Sequence, residues 1–474
     1  MNTNISLENL NQFEQGFDAN PTNALAMNAV VSNGINAVAT NYQTERRVTH
    51  EFSLSLKQGK VTNQKKSGRC WMFAALNCLR FQVMHKLNLE NFELSQSYTL
   101  FYDKLEKSNY FLESILETLD EPSNGRLISH LVSAPLNDGG QWDMLCNLIN
   151  KYGLVPKAAM PESVISSATQ EMNSYMTEKL REFACILRKA HKDGAGIEQL
   201  RQQKEEMLTT IYNMLCISLG KPPKSFDFEY RDKDGNFHRD CGLTPKSFYD
   251  KYIGVNVNDY ISLINAPTDD KPFFKSYSVS YLGNVKEGRL VKYVNLPIEE
   301  LKKAAIAQMQ DGEPVWFGCD VGKRGSRTGG ILDLDIYDLD GLFGTHFGMN
   351  KAERLEYGQS QMTHAMVFQG VNLDENGNPN RWRVENSWGE DACKDGYYVM
   401  SDRWFEEYTY QIVVNKKYLP KEVVEIFESE PIMLEPWDPM GSLARKKQLK
   451  QKQKFFVKLL YAKVCEGLGR AAST

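Results

Sequence analysis

Gln64-Lys65-Lys66-Ser67-Gly68-Arg69-Cys70-Trp71-Met72-Phe73-Ala74 sets a cysteine just before an apolar run, with a glutamine six residues upstream. Cys70, Phe73, Ala74, Asn77, Cys78 and Phe81 recur at helical spacing, which predicts a buried helix over residues 70–88 that starts at the cysteine. A thiol at a helix N-terminus sits at the positive end of the macrodipole, which favours the thiolate, the nucleophilic form. A glutamine amide close by can donate to an oxyanion. A cysteine before an apolar helix is nevertheless more often inert core than nucleophile, so its partners decide the reading.

Two partners lie far downstream. Thr363-His364-Ala365-Met366-Val367 puts a histidine at the start of a strand-like run, and Val384-Glu385-Asn386-Ser387-Trp388-Gly389 puts an asparagine before Ser-Trp-Gly. The order Gln64, Cys70, His364, Asn386 resembles the papain-like cysteine peptidases, whose His and Asn meet the Cys only after folding. Two departures narrow the resemblance. Gly68-Arg69 stands where secreted papains have a Gly-Ser type pair, and the Cys70-to-His364 interval is about twice the ~130–150 residues of papain and the cathepsins. Both departures are similar to the bleomycin hydrolase and aminopeptidase C branch, as are Asn137-Asp138-Gly139-Gly140-Gln141-Trp142-Asp143-Met144 and Leu434-Glu435-Pro436-Trp437-Asp438-Pro439-Met440-Gly441. The similarity runs from the N-terminus to about Ala444.

The resemblance implies an α+β, papain-like, two-lobed fold and a cysteine aminopeptidase without metal or cofactor, acting on peptides. Cys70 would attack the carbonyl, His364 would carry the proton, and Asn386 would orient His364. Gln64 and the Cys70 backbone N–H would hold the oxyanion, and Trp388 would shield the His364–Asn386 hydrogen bond. Gly139 and Gly140 admit two readings from the residues alone: a wall along which a substrate backbone lies, or a turn ahead of a helix starting at Gln141. The resemblance favours the wall. It also implies a homohexamer with inward-facing sites and a C-terminus lying in the cleft, whose carboxylate meets the substrate's α-amine.

Composition is compatible with this. The 474 residues can hold several domains or one core with large insertions, and 42% hydrophobic content supplies that core. A net charge of −4 gives no whole-protein attraction to nucleic acid or an anionic membrane. The nine cysteines are scattered without a CxxC pair, which suits a reduced, cytoplasmic protein. The N-terminus lacks the features of a secretory signal, and no apolar run reaches the ~18 residues of a membrane span.

Residues 1–444 are expected to form the peptidase domain. Within it, Ser163–Lys192 and Ile197–Leu219 are long, charged and helical in period, broken at His191–Gly196, and read as a helical hairpin inserted over about 161–219. From Phe226 onward the texture is β-like: Ser276–Tyr281, Pro314–Val321, Met366–Val371, Arg381–Glu385 and Tyr397–Met400 are strand candidates. Asp374–Pro379 reads as a hairpin turn. Asp333–Gly341 fails the EF-hand spacing and reads as a strand with one solvated face. Residues 445–474 form a basic and then apolar extension. It raises two alternatives: an endopeptidase whose cleft is no longer capped, or a peptidase scaffold that binds nucleic acid through its tail. Net charge argues against the second.

Overall fold

The computed structural model describes residues 3–57 and 59–443; the expected extension 445–474 lies outside the described residues. The helix predicted at the cysteine spans Cys70–Lys86, and 14 of its 17 residues are buried. A helix buried on nearly every side must run through the interior. Here it runs between two hydrophobic cores. One core lies among helices, with Leu100, Phe101, Leu112 and Ile115 from Gln96–Glu117 and Trp142, Leu145 and Ile149 from Trp142–Tyr152. The other lies on the sheet, where Phe317 and Phe368 stack at 3.8 Å and Trp382 stacks on Phe405 at 4.7 Å.

The helical side also carries Gln170–Lys192 and Ile197–Leu219. Met172, Met176, Leu180, Phe183 and Leu187 form one buried stripe, and Leu200, Met207, Ile211 and Leu215 another, so each helix turns an apolar seam inward and most of its charges outward; Lys204 is buried in the second seam and pairs with Glu113 at 2.6 Å. Trp142–Tyr152 stops at Gly153, whose φ is +70° and whose Cβ would meet the Pro245 carbonyl oxygen at 2.4 Å; only glycine fits there.

The sheet runs in the order Ile432–Leu434, Lys275–Val279, Lys292–Asn295, Tyr260–Ile264, Thr409–Asn415, Val315–Cys319, His364–Leu373, Pro379–Glu385, Tyr397–Ser401, Ile331–Leu332, Gly325–Ser326. The fully buried Val315–Cys319 sits near its centre, as its unbroken apolar run predicts. His364–Leu373 pairs antiparallel with it, His364 opposite Cys319, and on its other side with Pro379–Glu385, Val367 opposite Glu385. Helices on one side and sheet on the other give the expected α+β, two-lobed plan.

One expected strand is replaced. Asp333–Gly341 forms a turn, a single bridge at Tyr337 and the start of a helix at Leu339. Alternating acids mimic a strand pattern, but here they serve a helix cap and ion pairs instead. Asp338 caps the helix by accepting from the Gly341 N–H at 2.9 Å, and Asp335 pairs with Arg47 and Arg403. At the other extreme, helices Leu7–Asp18 and Pro21–Asn33 bury none of their residues. Among the described residues no helix is long and apolar enough to cross a membrane.

Candidate active site

Three chain segments converge where the Cys70 helix meets the sheet. The first is the approach to the helix. Thr62–Gln64 runs beside Ser387–Gly389: the Gln64 N–H donates to the Ser387 carbonyl at 2.9 Å and the Gly389 N–H to the Thr62 carbonyl at 3.0 Å. The chain then turns tightly. The Ser67 hydroxyl donates to the Gln64 carbonyl at 2.7 Å, and the Gln64 Nε2 donates to the Ser67 carbonyl at 2.7 Å. Nε2 carries two hydrogens, so one fixes the amide and the second remains for another acceptor. Gln64 is fully buried.

The turn is clamped from two sides. The Gly68 N–H donates to Asp138 Oδ2 at 2.8 Å. Asp138 is also held by Lys104 at 2.7 Å and Asn173 at 2.7 Å, and by the Thr169 hydroxyl. Arg69, fully buried, makes a fork onto Glu162 at 2.9 and 2.7 Å and donates to the Ser166 carbonyl at 2.7 Å. Bidentate guanidinium–carboxylate pairs fix orientation as well as distance. The arginine that marks the Gly-Arg departure in the sequence therefore ties the nucleophile candidate to the segment that leads into the helical hairpin.

Cys70 comes next. The Trp316 indole N–H reaches the Trp71 carbonyl at 3.0 Å, fixing the first turn of the helix against the strand that pairs with His364. The backbone of Ala365, the neighbour of His364, faces the Cys70 sulfur and favours its thiolate, as do the backbone groups of Trp71 and Cys70. Burial outweighs them and pushes the thiol up to about 12. The helix-end field expected from the sequence does not by itself produce a thiolate at neutral pH; a neighbouring cation has to.

His364 and Asn386 supply the rest. His364 Nε2 and Asn386 Oδ1 are 2.8 Å apart, both residues buried. Asn386 is oriented in turn by the Ser387 N–H, which donates to the same Oδ1 at 2.8 Å. The half-buried Trp388 ring lies 5.0 Å from the imidazole, tilted by 38°, with the Arg327 guanidinium 4.2 Å over its outer part. Cys70, His364, Asn386 and Trp388 thus share one locus, and Gln64 lies on the strand-like segment beside it.

Gly139 and Gly140 line the same region but are buried. Lys107 donates to the Gly139 carbonyl at 2.6 Å, and a Cβ on Gly140 would meet the Trp71 ring at 2.5 Å. The close approach that demands a glycine at 140 is to the indole behind the nucleophile. Opposite this loop lies the end of the described chain. Gln141 Nε2 donates to the Ser442 carbonyl at 3.0 Å, and the Ser442 hydroxyl donates to the Met362 carbonyl at 2.8 Å, two residues before His364. Beside it opens a cavity of about 600 Å³ bordered by Asn137, Gln361, Trp437 and Leu443.

Sequence reasoning missed Asp138 and Glu162 as supports of the Cys70 turn. Asp138 was visible only as part of a motif, because its partners Lys104, Thr169 and Asn173 lie more than thirty residues away in the chain. Among the described residues no cluster of His, Cys, Asp or Glu is placed to hold a metal ion.

Comparison with known proteins follows the same lines. A model of the Peptidase C1-like family matches residues 4–441. Aminopeptidase C of Listeria monocytogenes is 51% identical over 447 residues, 94% of this chain and all of that one. Bleomycin hydrolase of Mus musculus is 44% identical over 452 residues, 94% of this chain and 99% of its own. The crystal structure of PepW from Lactobacillus rhamnosis superposes with a TM-score of 0.92 at 50% identity, covering 94% of this chain and all of the other.

Proposed function

The chain belongs to the Peptidase C1-like family, and on that premise we propose that it is a cysteine aminopeptidase that removes N-terminal residues from peptides through a thioacyl-enzyme. The observation that carries this is the His364 Nε2–Asn386 Oδ1 hydrogen bond at 2.8 Å, on a strand whose next residue, Ala365, faces the Cys70 sulfur. With Nε2 held by Asn386, the proton exchanged with the thiol passes through Nδ1. Cys70 and His364 form a thiolate–imidazolium pair, and the imidazolium offsets the cost of charging a buried thiol. The thiolate adds to the scissile carbonyl. The Gln64 amide and the Cys70 N–H receive the oxyanion, each such donor being worth ~10²–10³ in rate. His364 then protonates the leaving amine, and water releases the acyl group.

Trp388 keeps water off the His364–Asn386 bond. The Gly139–Gly140 loop, pinned by Lys107, forms the wall of the cleft. Exopeptidase rather than endopeptidase action is supported by Ser442, which is held by Gln141 on one side and donates to the Met362 carbonyl, two residues before His364, on the other, so that the last described residues lie beside the site. The residues after Leu443, including the point near Ala444 where the family's chain end would fall, lie outside the described residues. We treat residues 1–444 as one peptidase unit, with the 161–219 helices part of it through Arg69 and Glu162. All eight cysteines among the described residues are free thiols, which suits the proposed place in a reducing cytoplasm. A homohexamer is supported by the exposed apolar faces of the two N-terminal helices, which a partner copy would cover.

Hydrolysis of a dipeptide–dye substrate with a free or an acetylated amine tests the reading. The parent should cleave the free-amine form and leave the blocked form nearly untouched, and Cys70→Ala should cleave neither. Equal cleavage of both forms would replace the exopeptidase with an endopeptidase. The same assay on a chain trimmed after Ala444 should show higher activity on the free-amine form; equal rates and an equal preference for the free amine would rule out an effect of the extension.

A further inference from the structure

Beneath the candidate site lies a carboxylate that the mechanism above does not use. Glu385 immediately precedes Asn386, and its side chain has no solvent exposure. Its Oε1 accepts from Arg80 Nη2 at 3.0 Å and from Asn77 Nδ2 at 3.0 Å. Its Oε2 accepts from Gln369 Nε2.

These three donors come from the two other segments that build the site. Asn77 and Arg80 lie on the Cys70 helix, seven and ten residues past the sulfur. Gln369 lies on the strand that starts with His364. It sits where the register between that strand and Pro379–Glu385 shifts, between Phe368 and Gly370. A bulge adds a residue to one strand and re-aims its side chain, and here the aimed side chain reaches Glu385. The Asn77 amide also donates to the Thr62 hydroxyl at 2.9 Å, on the segment that carries Gln64. The guanidinium of Arg80 spends its other arm on the Lys60 carbonyl at 2.9 Å.

We infer that Glu385 is the positioning residue of this enzyme: one buried carboxylate that fixes the Cys70 helix, the His364 strand and the Asn386 loop relative to each other. This rests on the peptidase reading of Cys70, His364 and Asn386. A thiol and an imidazole on opposite sides of a lobe boundary must hold their spacing closely, because an ångström of misplacement can cost ~10² in rate. Hydrogen bonds from a guanidinium and two amides onto one buried carboxyl are directional, and no apolar contact supplies that constraint. The other charged groups that bear on this carboxylate are Arg383 from its own strand and Glu93 from the loop after the helix; they flank the cluster without entering its hydrogen bonds.

The test uses the full chain. Kinetics on a free-amine dipeptide–dye substrate, the pH profile of Cys70 alkylation by iodoacetamide, and thermal unfolding are compared for the parent, Glu385→Gln, Gln369→Leu and the reversed pair Glu385→Arg with Arg80→Glu. Glu385→Gln should lower kcat about tenfold or more with KM within about twofold, and should displace the acid limb of the alkylation profile. The reversed pair restores the charge match but not the acceptor, since an arginine at 385 accepts from neither Asn77 nor Gln369, so its kcat should stay low; a parent-like kcat in it would overturn the inference. Gln369→Leu leaves the ion pair in place and should still lower kcat, since it cuts the arm to the His364 strand. If Glu385→Gln does not fold, Gln369→Leu decides. Parent-like kcat and a parent-like alkylation profile in a folded variant would overturn the inference. A Cys70→Ala chain that still cleaves the substrate would instead sink the peptidase reading on which it rests.

Discussion

Cys70 combines complete burial with the nucleophile's task proposed for it, and the two are at odds. Burial raises the thiol to about 12, and the backbone groups around it recover only part of that cost. The counter-charge of His364 has to supply the rest. His364→Ala should therefore lower the iodoacetamide alkylation rate at pH 7 by about 10² and leave a rate that climbs steadily towards high pH. A parent-like profile in that variant would place the activation elsewhere. Gly140 gives a second residue-level expectation. An alanine there must displace the Trp71 ring, which is buried and tied by its indole N–H to the Asp138 carbonyl at 2.6 Å. Overpacking of this kind costs about 1–3 kcal/mol. Denaturant unfolding of Gly140→Ala should show that loss, and the first turn behind Cys70 should lose activity with it.

The segment Asn137–Gly140 works as one element with the start of the Cys70 helix. Its anchor is Asp138. Burial alone would raise this carboxyl, but Lys104, Thr169 and Asn173 hold it well below its ordinary value of 3.8. A carboxylate whose folded value is depressed stabilises the fold above its unfolded value, and that contribution disappears as pH falls through the folded value. Asp138→Asn should thus cost about 3–5 kcal/mol at neutral pH, because it leaves the buried Lys104 without its counter-charge. The difference from the parent should stay constant above about pH 5 and shrink below about pH 4. Urea unfolding across that range checks it; a difference that does not narrow in acid would move the titrating group away from Asp138.

Across the whole molecule, the N-terminal helices are the part that the chain does not explain by itself. Leu7, Phe13, Leu25 and Val31 are 80%, 60%, 73% and 81% exposed. An apolar face of that extent is expected to be covered by a partner, and the proposed homohexamer supplies one. Replacing Leu7 and Phe13 together with aspartate should lower the mass seen by light scattering and change thermal unfolding of the individual chain far less, since both side chains are mostly exposed within it. An unchanged mass would take the arm out of the assembly.

The α+β plan and four of the residues at the site were written locally. A helical period starting at Cys70, a strand-like run starting at His364, and Asn-Ser-Trp-Gly after another strand each depend on neighbours within a few residues, which is the range at which backbone periodicity acts. The acidic stretch at 333–341 shows where that range fails: its alternation is strand-like, but capping and two arginines distant in sequence override it. What folding alone decided is which side chains meet. The Glu385 carboxylate reaches donors 305, 308 and 16 positions away, and Arg69 reaches Glu162 across 93. Those partners are chosen by where the helix is pressed onto the sheet, and a desolvated charge accepts whatever complementary group that packing brings to it.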